Sequence, residues 1–239
     1  MNKEALIAAL KEERLENYIN LRGGFPLPLA GGVYWLALGF LGFYLPLGSW
    51  FMVALFGTGA IFPLGLLFAK VFKNNFIKEK QAVSSVIVPA LIGMLLFWPM
   101  LIASMSVSTG LAILILAIGM SMHWPVVGWS YGRTGLYAAH SIIRALLVFG
   151  IWTTMPDTRT TLIPFAVAGV YFVTVLAILV DTSLLRRKKT ARVKARPPRK
   201  NQNDDGDKDE GTSEKTDADQ ENNETENKDQ KPDSPQNGQ

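Results

Sequence analysis

The sequence predicts an all-α membrane protein: a six-helix transmembrane bundle with an N-terminal amphipathic surface helix and a disordered C-terminal tail. Three observations predict it. Six long stretches are almost free of charge, basic residues collect at alternate junctions between them, and residues 201–239 contain no large apolar side chain. A helix of about 20 apolar residues crosses the ~30 Å hydrocarbon core of a bilayer.

The elements follow in order. Residues 1–22 form an amphipathic helix on the cytoplasmic side. At about 100° per residue, Leu6, Ile7, Leu10, Tyr18 and Leu21 share a face bordered by Lys3, Lys11 and Arg14, with Glu12, Glu13 and Glu16 opposite. Bordering cations suit an interfacial helix; packing against the ends of the bundle accounts for the pattern equally well. Glu4, Lys11, Glu12, Glu13 and Arg14 interrupt the apolar residues, so this start does not read as a secretory signal.

The transmembrane domain covers 23–185, with spans over 27–45, 50–70, 83–103, 108–128, 135–155 and 162–181. Proline and glycine in Leu45-Pro46-Leu47-Gly48-Ser49 separate the first two, and Pro156-Asp157-Thr158-Arg159 separates the last two. A basic juxtamembrane segment, Arg186–Lys200, holds no acid, and the acidic tail 201–239 has nothing to bury in a core.

Charge orients the bundle. Lys3, Lys11, Arg14 and Arg22 precede span one, Lys70, Lys73, Lys78 and Lys80 join spans two and three, and Arg133 joins spans four and five. With the 186–200 run they fall on one side of six spans, leaving Arg159 on the other. The positive-inside rule then predicts a multi-pass protein of the cell membrane with both termini cytoplasmic. Trp50, Trp98, Trp124, Trp129, Tyr131 and Trp152 fall near span ends, where amphipathic rings suit the headgroup layer; plain packing inside the bundle is the alternative for about a third of them. The implied partners are the bilayer, anionic lipid headgroups at Arg186–Lys200, and a protein bound by the tail. Basic residues directly after a hydrophobic helix point to membrane and not to nucleic acid.

Chemistry is sparse. The chain has no cysteine and two histidines, which excludes disulfides and thiolate metal sites; no metal or other cofactor is expected. The informative residues lie on span five, where Tyr137, His140, Ser141 and Arg144 follow an i, i+3, i+4, i+7 pattern among Leu136, Ile142, Ile143, Leu146, Leu147 and Phe149. A polar stripe on an otherwise lipid-like helix should face the bundle interior. Burying the arginine costs on the order of 3 kcal/mol on insertion scales. Four outcomes stay open: it reaches backbone carbonyls, snorkels towards the cytoplasm, meets Asp181 at the inner end of span six, or binds an anionic ligand. His123 and His140 fall at similar depths on adjacent spans, as a proton-sensitive pair or as separate hydrogen-bonding residues.

Gly128-Trp129-Ser130-Tyr131-Gly132 fits the serine-hydrolase pattern G-x-S-x-G, which has meaning only on a strand-to-helix elbow. Here it falls between two membrane helices, so no enzyme activity is expected. Pro28-Leu29-Ala30-Gly31 and Phe62-Pro63-Leu64-Gly65 are echoed by Pro89-Ala90-Leu91-Ile92-Gly93 and Trp124-Pro125-Val126-Val127-Gly128, either a duplicated hairpin or chance.

The 25–181 region, above all HWPVVGWSYGRTGLYAAHSIIRALLVF, resembles an uncharacterised family of small bacterial multi-pass membrane proteins. That resemblance implies the six-span fold and brings no activity or catalytic residue with it. Two functional classes stay open. One is a small transporter or permease for an anionic or neutral solute. The other is a non-catalytic scaffold or complex subunit whose cytoplasmic segments bind a partner.

Overall fold

The structure is a computed structural model that describes residues 2–74 and 85–194, with side chains as far as Ala191. The acidic tail, residues 195–200 of the basic run, and Lys78 and Lys80 lie outside the described residues. The described chain forms α1 (Lys3–Asn20), α2 (Pro26–Leu41), α3 (Leu47–Gly57), α4 (Ile61–Val71), α5 (Ile87–Leu95), α6 (Trp98–Met105), α7 (Thr109–Gly119), α8 (Trp124–Ser130), α9 (Thr134–Thr154) and α10 (Arg159–Lys194). Six rods built from α2 to α10 are long and apolar enough to cross a membrane, which makes this a six-helix membrane fold.

Proline marks most of the helix starts. Pro26, Pro63, Pro89, Pro99 and Pro125 each fall within the first three residues of a helix. There the missing N–H would have no intrahelical acceptor, and the fixed φ suits a first turn. Three of these prolines follow an aromatic residue inside a hydrophobic stretch: Phe62-Pro63, Trp98-Pro99 and Trp124-Pro125. Spans two, three and four are accordingly broken near mid-length, as α3–α4, α5–α6 and α7–α8, although their sequences are continuously apolar. Span five (α9) is unbroken, and α10 runs on past its Pro164.

Two boundaries differ from the sequence expectation. Helix α2 ends at Leu41, not Leu45, because Phe43, Tyr44 and Leu45 turn back onto the carbonyls of Phe40 and Leu41. At the other extreme, α10 does not stop near Asp181 and carries the basic residues on one helix as far as Lys194.

The rods pack as a circuit. Span six lies against spans one and five, span one against two, two against four, and four against five; span three sits outside on span four. The closest approach is between α2 and α10. A Cβ on Gly31 would come within 2.8 Å of the Tyr171 ring, and one on Gly42 would meet the Thr160 carbonyl. Only glycine lets these two backbones press together.

Helix α1 packs against the bundle through its second half. Leu6 and Ile7 are each 55% exposed, whereas Asn17, Tyr18, Ile19 and Leu21 are buried against the bundle. A left-handed turn, Arg22-Gly23-Gly24 with φ of 47°, 60° and 62°, then swings the chain into span one. Burial, then the neighbouring Asp181 carboxylate, raises the Tyr18 phenol above its ordinary pKa.

The aromatic belt needs correction. Trp50, Trp124 and Tyr131 are buried, and the Trp50 indole donates to the Leu38 carbonyl at 2.9 Å. These rings fill the core. Trp152 does close the Arg159 end: its Nε1 donates to Gly110 at 2.7 Å while the Arg159 guanidinium covers its ring at 4.6 Å.

Candidate functional site

The site is built on α9. Tyr137, His140 and Arg144 are buried and Ser141 is half-buried, while Ile142, Ile143, Leu146, Leu147 and Phe149 point outward. The helical spacing of four polar residues thus does what it predicted, turning them inward and leaving an apolar surface for lipid.

Arg144 lies ten residues from either end of α9, at the middle of its span, and is fully buried. Its Nη1 donates to the Tyr171 hydroxyl at 2.9 Å, and its guanidinium stands 5.2 Å from the ring centres of both Trp35 and Tyr171. Stacking on aromatic faces lowers the cost of holding the charge here. The remaining nitrogens, Nε and Nη2, have no hydrogen-bond partner among the described residues.

Asp181 is not that partner. It accepts from Arg133 Nε at 2.7 Å, at the end of the bundle where α8 turns into α9. Among the described residues no carboxylate pairs with Arg144.

His140 reads clearly as a tautomer. The Thr174 hydroxyl donates to the Val170 carbonyl at 2.7 Å, so at 2.8 Å its oxygen accepts from His140 Nδ1–H. In a neutral ring, Nε2 is then a bare acceptor, and it too is buried without a partner. His123 occupies the break between α7 and α8. Both histidines lie against Trp124, at 4.9 Å and 5.4 Å between ring centres, and no hydrogen bond joins them among the described residues.

The other stripe residues act as clips. Tyr137 donates to the Gly23 carbonyl at 2.5 Å and Ser141 to the Ser121 carbonyl at 2.8 Å, tying α9 to the left-handed turn and to the break in span four. Ser130 of the G-x-S-x-G pattern is buried and spends its hydroxyl on Val127 of its own helix at 2.8 Å. Among the described residues no three His, Cys, Asp or Glu side chains gather to hold a metal ion.

Sequence reasoning missed Trp35, Tyr171 and Thr174. A signal was available for two of them: Tyr171, Thr174, Ile178 and Thr182 are buried along one face of α10, a second stripe at helical spacing. Trp35 gives its signal by position, an indole in the middle of a span instead of at its end.

The assembled chemistry is a fixed cation amid surplus donors. Among the described residues the indole N–H groups of Trp35 and Trp124, like Arg144 Nε and Nη2, are buried without acceptors, and against them stand two imidazole nitrogens, His140 Nε2 and His123 Nδ1. Such a set is complementary to an anion. No curated protein and no solved structure matches the chain. Residues 10–181 match the model of a family of unknown function, DUF7010, over all six spans and every residue of the Arg144 cluster, and the chain belongs to that family.

Proposed function

We propose that this is a non-catalytic membrane protein that binds a small anion at Arg144 and carries it across the bilayer. The observation behind this reading is the guanidinium itself, buried at mid-span with two nitrogens unpartnered and no carboxylate paired to it among the described residues. An unsatisfied buried donor costs about 1–3 kcal/mol, so an anion that accepts from both is strongly favoured. The breaks in spans two, three and four supply segments able to move independently, as alternating access requires. A ligand site at the bilayer midplane beside interrupted helices is the arrangement that transport uses. Both termini lie in the cytoplasm of a cell-membrane protein in this reading, following the basic junctions. Reporters inserted beside Ser106 and Asp157 should therefore read opposite to one beside Arg133.

The test is anion flux into proteoliposomes together with thermal unfolding in chloride, formate and phosphate. Wild type should show flux and be stabilised by at least one of these anions. Arg144→Leu should stay folded but lose both responses, and Arg144→Lys should keep part of each, since lysine retains the charge without the fork. A second reading, a scaffold that recruits a partner, is favoured by the exposed Leu6 and Ile7 on the free half of α1. It wins if Arg144→Leu is more stable than wild type, Arg144→Lys unfolds, and no anion moves or stabilises the protein.

A further inference from the structure

A second polar feature lies away from Arg144, where the left-handed turn after α1 meets the extended end of α10. A cleft of about 650 Å³ opens there, with Arg22, Arg186 and Arg187 on its walls and Leu179, Thr182 and Ser183 toward its base. Arg22 is committed to the cleft by its backbone, which is left-handed at φ 47° without being glycine. Non-glycine residues hold that conformation at a cost, so the turn is fixed by what packs around it: Gly23 sits against Tyr18, Tyr137 and Ile178.

Among the described residues the cleft arginines have no ion pair; the two pairs present are Arg133 with Asp181 and Lys189 with Glu16. Arg186 donates to the Ile19 carbonyl at 3.4 Å. The hydroxyls of Thr182 and Ser183 donate to carbonyls of their own helix, so the donors left to a ligand are guanidinium N–H groups.

Depth selects the ligand. Counting from Arg159 at about 1.5 Å per residue, Leu179 lies ~30 Å along α10, one hydrocarbon thickness from its start. The arginines follow in the next two turns, within reach of the phosphate layer, while Leu179 and its neighbours remain at acyl-chain level. We infer that the Arg22–Arg186–Arg187 cleft is a binding site for the headgroup phosphate of an anionic glycerophospholipid. The guanidinium groups take the phosphate oxygens, and the apolar base meets the first carbons of the acyl chains. This differs from diffuse attraction along a basic helix, because Arg22 comes from the other end of the chain and closes the site.

The experiment titrates the full-length protein in neutral detergent with phosphatidylglycerol, phosphatidylcholine or inorganic phosphate and reads the unfolding midpoint. Wild type should be shifted upward by phosphatidylglycerol alone. Its apparent affinity should fall roughly fivefold for each arginine removed in Arg22→Gln/Arg187→Gln. Lys188→Gln, which removes an equal charge beside the cleft, should change it less than about twofold. Should the double variant not fold, Arg187→Gln alone, on the exposed wall, carries the same comparison with Lys188→Gln. Three results would overturn the site: no shift with phosphatidylglycerol, an equal shift with inorganic phosphate, or equal losses in Lys188→Gln and the arginine variants.

Discussion

Spans three and five are buried to a similar small extent, 17% and 22% of their apolar windows, and both turn most of their surface outward. What they bury is different. Span three offers Phe97 and Leu101, and its buried Ser104 bonds to a carbonyl of its own helix at 2.7 Å. Span five offers four polar side chains, each bonded to another part of the chain: Gly23, Thr174, Ser121 and Tyr171. Apolar packing between helices in a lipid solvent tolerates sliding, whereas a hydrogen bond to a particular carbonyl sets rotation and register together. Span five is therefore a clip and span three a flank. The extent of burial alone would not have distinguished them.

Substitutions at matched glycines should widen the contrast. A Cβ on Gly128 would approach the Tyr137 Cβ to 2.6 Å and the Arg133 carbonyl to 3.1 Å. Gly128→Ala should therefore cost about 3 kcal/mol, the upper range for overpacking, and appear as a clear drop in the unfolding midpoint in detergent. Tyr137→Phe removes one clip and strands the Gly23 carbonyl, so a loss of about 1–2 kcal/mol is expected from the same measurement. Gly93 of span three meets nothing within 4 Å. Gly93→Ala should be neutral or stabilising by up to about 1 kcal/mol, as helix propensity predicts. A marked loss there would mean that span three docks on something, and would remove the distinction from span five.

The six spans and the inward face of span five were legible in the sequence because both depend on period and length, which a chain displays directly. The partner of Arg144 was not. One carboxylate, Asp181, and two arginines, Arg133 and Arg144, are compatible with several pairings, and the choice depends on where α10 sits lengthwise against α9. That register shows in the bonds of His140 to Thr174 and of Arg144 to Tyr171, which join α9 to α10. The helix breaks were half legible: the Phe62-Pro63 and Trp124-Pro125 echo left a duplicated hairpin or chance open, while the structure shows both pairs, and Trp98-Pro99 with them, at the start of a helix. Trp50 and Trp124 follow the packing alternative, because a residue's place along its span does not display which neighbour covers its ring.

Those restarts have a consequence for how the chain enters a membrane. The insertion machinery weighs the apolarity of a passing segment of about 20 residues, and by that measure Leu47–Val71, Ile87–Met105 and Thr109–Ser130 are ordinary uninterrupted spans. Their half-rods, of 7 to 11 residues, are too short to cross alone and become separate helices only as neighbours close around the freed backbone groups. Biogenesis is thus blind to the prolines, and the assembly step that follows reads them. A lesion at Pro63, Pro99 or Pro125 would leave topology and membrane yield intact and surface later, as a fully inserted protein whose core never settles around Arg144.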